Sequence, residues 1–359
     1  MLSFKSKSVS GLVLIAAFLG NLPLRVLAWG ALGHEAVGFV AMDFLSSGAL
    51  SFVQDTINSS FDHSLGPAGP WADTVRSEAA FRFTAPFHFI DAEDDPLGGS
   101  CSVNEDRDCG STGCILTAIA NYTQRVADTD LSFTQRQQAL MFIDHFLGDI
   151  GQPLHVEALE VGGNDIDAVC AGRSTNLHAA WDTGMLETML DAQFDGSVTD
   201  WAASLSQDIK SGQFKSQAAS WISCSSTTET ISKRRSQVAG FDIPRSATNT
   251  SSSDMLRNEI LALISSSKRA REEDVGIEQR KLRERVFGNE PELACPLGWA
   301  QEANAFDCTD VFDFETGQDL CTGTYFENAI PIINLQIAKQ GFRLAAWLNV
   351  IFDGATNLP

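Results

Sequence analysis

Five of the six histidines sit in four short stretches, each with a carboxylate or a chain terminus at metal-ligand spacing. They are Trp29-Gly-Ala-Leu-Gly-His34, Phe87-His88-Phe89-Ile90-Asp91, His145-x3-Asp149-x5-His155 and His178-x3-Asp182, with Trp71-Ala72-Asp73 between the first two. Imidazole and carboxylate are ligands that zinc accepts, and this many exceed what one mononuclear site needs. The pattern points to a multinuclear metalloenzyme. Arg76 follows Asp73 by three residues; its planar fork suits phosphate oxygens, although alone it reads equally as a surface ion pair. His63, in a Ser/Gly/Pro-rich stretch, reads as an ordinary loop residue.

Helices are the elements that position such ligands. Thr134-x-x-Gln137 resembles a capping box, and Leu140, Ile143, Leu147 and Ile150 follow at spacings of three and four. Pro153 is expected to end that helix. His145 and Asp149, four apart, share a face, and Met141, Phe142 and Phe146 make the helix apolar nearly all round. Such a helix is buried, and a buried His and Asp need partners, which a metal supplies. His178 and Asp182 repeat the spacing. Ile330, Ile333, Ile337, Leu344 and Leu348 form another stripe, with Gly341 in the missing turn. Alternating patterns are scarce outside Phe81–Ile90. The expected fold is an all-α, mostly helical single domain over 29–359, stapled by disulfides.

The chain of 359 residues has a formal charge of −21. That argues against nucleic-acid binding through a wide basic groove, but bound cations can supply positive charge locally. Residues 1–28 read as a secretory signal: Lys5 and Lys7, an apolar run from Gly11 to Gly20, then Val26-Leu27-Ala28 as a cleavage site. Its loss leaves 22 basic against 46 acidic residues, a charge of −24. Eight cysteines then suit a secreted, extracellular protein with disulfides, and 105 full pairings are possible. Asn58, Asn121 and Asn249 begin glycosylation sequons. From about 225 to 293 the chain turns polar, which reads as a disordered or inserted excursion. Met255 to Ile264 has the periodicity of a surface helix, and Lys233-Arg-Arg and Lys268-Arg are dibasic.

These motifs resemble the secreted fungal zinc-dependent nucleases that prefer single strands, relatives of plant bifunctional nucleases. The resemblance rests on Trp29 to Val37, Trp71–Asp73, His88–Asp91, Asp149–His155, Gly162–Asp165 and Asn176–Asp182. It runs from Trp29 to about Ser223 and resumes from Cys295 to Asn349. It implies three Zn2+ per chain. One would be held by Asp73, His88, His145 and Asp149. A second would take the Trp29 amine and carbonyl, His34 and the shared Asp149, which makes cleavage before Trp29 a chemical requirement. His155, His178 and Asp182 would hold the third. The resemblance further implies endonuclease cleavage of single-stranded DNA and RNA to 5′-phosphates, with 3′-nucleotidase activity. Catalytic roles fall to Asp73, orienting the nucleophile, and Arg76, neutralising phosphoryl charge.

Phe89 and Asp91, by the same resemblance, stack on and hydrogen-bond the base, and Val161 and Asn164 line the pocket; on its own, Phe89 reads as a core aromatic. Cys101–Cys308 and Cys109–Cys114 match family pairs, leaving Cys170, Cys224, Cys295 and Cys321 unassigned. A monomer without a membrane anchor or an obligate protein partner is expected. Two rivals stay open. A zinc phospholipase C shares the N-terminal Trp and the three-metal helical fold, but that family has glutamate where Asp182 stands and lacks the His-Phe-Ile-Asp pocket. An inactive binding module would keep only a closed structural metal. The acidic charge predicts an acidic pH optimum, since protonation lessens repulsion of an anionic substrate.

Overall fold

A computed structural model describes residues 29–229 and 293–358. The signal segment, Asn249, the Met255–Ile264 stripe and both dibasic sites lie outside the described residues. The fold is mostly helical, with regular strands among the described residues confined to one hairpin, Asp167–Cys170 and Arg173–Asn176. No helix among them is long and apolar enough to cross a membrane.

The Phe133–Asp149 helix is its axis. Ser132, not Thr134, opens it: the Ser132 amide donates to Gln135 Oε1 at 3.0 Å, and Gln135 N donates to Ser132 Oγ at 3.4 Å. This is a reciprocal cap two residues earlier than the sequence pattern placed it. The helix is buried from Ala139 to Asp149, as its apolar circumference predicts. It ends at Asp149, four residues before Pro153, which instead opens a 3-10 turn over Pro153–His155.

The C-terminal stripe belongs to a single helix, Gly323–Asp353, about 46 Å long at 1.5 Å per residue. Ile333, Ile337, Leu344 and Leu348 are all fully buried. Gly341 lets it close on the Ala31–Met42 helix, since a Cβ there would stand 2.6 Å from Val40 side-chain atoms. The alternation at Phe81–Ile90 does not make a strand. Arg82–His88 is a 3-10 helix containing Pro86, whose missing N–H would break a ladder.

Four disulfides close the chain: Cys101–Cys308, Cys109–Cys114, Cys170–Cys321 and Cys224–Cys295. The last joins the two flanks of the polar segment. Ala294 N donates to Glu229 O at 2.9 Å beside it, so the chain leaves and returns at one place. Asn58 is exposed. Asn121, by contrast, is buried inside the Ile115–Ala127 helix, without the solvent exposure a glycan needs.

Candidate metal centre

Each ligand candidate arrives on a different local device. His34 lies in the Ala31–Met42 helix, and Asp73 in the short Trp71–Val75 helix. His88 ends its 3-10 helix, while His145 and Asp149 occupy the last turn of Phe133–Asp149. That helix end carries partial negative charge, which favours a cation there. The hairpin feeds directly into His178: its turn residues Ala171 and Gly172 take positive φ, and both donate backbone N–H to Asp319. Asn176 then caps the next helix by accepting from Ala179 N at 2.7 Å. Asp182 stands in a π-helical turn, Ala180–Gly184, rather than in a regular α-helix.

The side chains converge in two groups. In the first, Asp149 Oδ1 is 3.1 Å from His34 Nε2, and Asp149 Oδ2 is 3.1 Å from His88 Nδ1 and 3.2 Å from His145 Nε2. Asp73 Oδ1 closes the other side, 3.6 Å from His88 and 3.7 Å from His145. The rings of His34 and His145 stack with centroids 3.7 Å apart. In the second group, His178 Nε2 lies 3.0 Å from Asp182 Oδ2 and 3.2 Å from His155 Nε2. The groups adjoin, with His155 Nδ1 3.8 Å from Asp149 Oδ1. Trp29 is fully buried beside them, its indole donating to Gly148 O at 3.0 Å. His63 stays outside, with Nδ1 2.9 Å from Gln54 O.

Three histidines have their tautomers set by backbone carbonyls. Nδ1 of His145, His155 and His178 faces the carbonyls of Gly69, His88 and Gly162 at 2.7, 2.7 and 2.6 Å. A protonated Nδ1 leaves Nε2 as a lone pair turned inward, the arrangement of a metal-ligating imidazole. Three sets meet the spacing a metal ion requires: His34, Asp73 and His145; His88, His145 and Asp149; His155, His178 and Asp182. Both ring nitrogens of His34, Asp73 Oδ1, Asp149 Oδ1 and Asp182 Oδ2 are buried without a hydrogen bond. Unpaired buried polar atoms are costly, and converging acceptors are satisfied together by a cation. The donor set of nitrogen and carboxylate oxygen fits zinc.

Charge follows burial. Burial holds His34 and His88 well below the ordinary imidazole range, helped by the neighbouring histidines, and holds His145 below it as well. Burial pushes Asp149 and Asp73 up. The second group polarises differently. There burial opposes ionisation, but the adjoining imidazoles of His178 and His155 overcome it and hold Asp182 at about 2. His178 is raised in return, because Asp182 outweighs the burial that would lower it.

Arg76 Nη1 lies 3.4 Å from Asp73 Oδ1, so its guanidinium borders the first group. Phe89 is 38 % exposed, which removes the core-aromatic reading. Asp91 is exposed at its surface, and its carboxyl is raised by partial burial and by Asp108 and Glu93. Val161 is 63 % exposed and Asn164 Nδ2 donates to its carbonyl at 2.8 Å. Glu160, Val161, Gly162 and Gly163 all take positive φ, a left-handed turn that aims the Gly162 carbonyl at His178. A Cβ on Gly162 would meet Leu154 O at 2.5 Å.

The carbonyl acceptors carry no side-chain signal in the sequence, and Gln152, although inside the Asp149–His155 motif, has no ligand chemistry of its own to mark it. Gln152 is fully buried and donates Nε2 to Asp182 Oδ1 at 2.6 Å.

The model for S1/P1 nuclease matches residues 29–267 and 245–353. The chain is 36 % identical to nuclease PA3 of a Penicillium species and to nuclease P1 of Penicillium citrinum, over 90 % of its own length and 97 % of theirs. It is 33 % identical to nuclease S1 of Aspergillus oryzae, over 90 % of this chain and 91 % of that one.

Proposed function

The chain belongs to the S1/P1 nuclease family, and from that premise we propose that it is a secreted, zinc-dependent endonuclease acting on single-stranded DNA and RNA, with 3′-nucleotidase activity. The observation that carries this reading is the convergence of eight buried His and Asp side chains, several of whose acceptor atoms have no hydrogen bond. We assign three Zn2+ to them: one to Asp73, His88, His145 and Asp149, one to His34 and Asp149 with the Trp29 terminus, and one to His155, His178 and Asp182. Bound zinc supplies Lewis acidity and lowers the pKa of water from ~15.7 toward ~7.

The protein's own groups do the rest. Carbonyl-fixed histidines hold the ligand atoms without reorganisation. Arg76, tethered by Asp73 at the border of the first group, offers two parallel N–H donors to phosphoryl oxygens. Phe89 presents an exposed ring next to His88 for a base face, a contact that any base can make but a duplex conceals. Asp91, Val161 and Asn164 complete that pocket. The formal net charge of −24 after loss of residues 1–28, 22 basic against 46 acidic residues, leaves the metals as the local attraction for a polyanion.

Parallel assays on denatured DNA, RNA, 3′-nucleotides and phosphatidylcholine test the reading. Cleavage of the nucleic acids to 5′-phosphates, abolished by chelation and restored by zinc, is the expected result. Lipid cleavage without nucleic-acid cleavage would sink it in favour of the phospholipase.

A further inference from the structure

Gln152 lies between the two ligand groups and touches both. Its backbone N–H donates to Asp149 O at 2.9 Å. Its side-chain Oε1 accepts from Leu154 N at 2.6 Å, while Nε2 donates to Asp182 Oδ1 at 2.6 Å. The amide orientation is set by this pair of contacts, because only oxygen can accept from a backbone N–H. Asp182 Oδ1 is thereby engaged, and Asp182 Oδ2 is left buried, free of hydrogen bonds and 3.0 Å from His178 Nε2.

We infer that Gln152 is a positioning residue for the third metal: it commits Asp182 to binding through Oδ2 alone and ties that site to the turn leaving Asp149. This rests on the three-zinc reading above. A carboxylate with both oxygens free could chelate through either or both, rotating about its Cβ–Cγ bond. The donor from Gln152 removes that freedom before the ion arrives. The span matters as well as the donor, since one amide must reach Leu154 N and Asp182 Oδ1 together. The Asp-x-x-Gln-Pro-Leu-His spacing achieves this: Pro153 starts the 3-10 turn that aims Leu154 N back at Gln152.

Two variants test the assignment. Gln152→Met keeps length but cannot donate, and Gln152→Asn keeps the amide but is one methylene too short to span. Zinc per chain is measured by mass spectrometry, and affinity by competition with a chelator. The expected result is that wild type holds three zincs and both variants hold one of them about 10- to 100-fold more weakly, the other two unchanged. Activity should then recover as free zinc is raised, with kcat restored and KM little altered. A purely structural role would instead lower the melting temperature of the metal-free form without singling out one ion. If Gln152→Met does not fold, Gln152→Asn decides the question. Variants that match a three-zinc wild type at every site overturn the Gln152 assignment alone. A wild-type chain that binds no zinc overturns the metal reading itself.

Discussion

His34 Nε2 and Asp149 Oδ1 face each other 3.1 Å apart, both fully buried and neither hydrogen-bonded. Burial drives the two toward their neutral forms, holding the imidazole unprotonated and pushing the carboxyl up. Without a cation the contact is a cost, since both side chains are forced out of their charged forms and their facing polar atoms are left buried without a hydrogen bond.

Asp149→Asn should therefore separate function from stability. Zinc affinity at the two proposed sites that would share Asp149 is expected to fall by more than the roughly 100-fold typical for losing an outer partner. The metal-free variant should melt at or above the temperature of the metal-free wild type, because a neutral amide replaces a buried acid. A metal-free variant that melts clearly lower would contradict this account.

Asp307 predicts a pH effect away from the centre. It is buried with both carboxylate oxygens unpartnered, and burial, reinforced by Glu157 and Asp94, raises its pKa well above the ordinary value. The folded chain then keeps this proton where the unfolded chain has lost it. Its stability contribution is full below the ordinary carboxylate pKa near ~4 and is lost as pH rises toward the folded value. Asp307→Asn should flatten that decline and melt higher than wild type at pH 8, measured by thermal scans from pH 4 to 8. Parallel curves for the two proteins would reject it.

Phe89→Ala should weaken catalysis without touching metal content. Stacking of one base is worth about 1–3 kcal/mol, or roughly 5- to 150-fold in kcat/KM on single strands. The loss should be similar for all four bases. A variant that loses zinc instead would place Phe89 in support of His88 rather than in the pocket.

Under the proposed ligand set, the Trp29 terminus would make the N-terminus a matter of coordination. N-terminal sequencing of the secreted protein is expected to begin at Trp29. A chain expressed with one additional glycine before Trp29 should carry one zinc fewer and lose activity, since an amide nitrogen is a poor ligand. Full zinc occupancy in the extended chain would remove Trp29 from the site.

Much of the centre was legible because ligand chemistry restricts residue type. His145 and Asp149 announce a shared helical face by spacing alone, and the apolar residues around them announce burial. His155 and Asp73 were legible only through the motifs that contain them, since no local period places either near Asp149. The pairing of Cys170 with Cys321 and of Cys224 with Cys295 was not legible, because many pairings satisfy the same sequence. The Phe81–Ile90 alternation misled, since a period of two says nothing about whether a partner strand exists.

The sequence by itself determined which side chains could bind metal, which helices were buried and that disulfides would close the chain. Those properties reside in residue type and in spacings of three and four. Tertiary structure alone decided which nitrogen of His145, His155 and His178 faces inward, because carbonyls of Gly69, His88 and Gly162, far away in the chain or in an unusual turn, hold the other. It also decided which oxygen of Asp182 remains free, through Gln152. Backbone acceptors have no residue identity to read, so their placement exists only once the chain has folded.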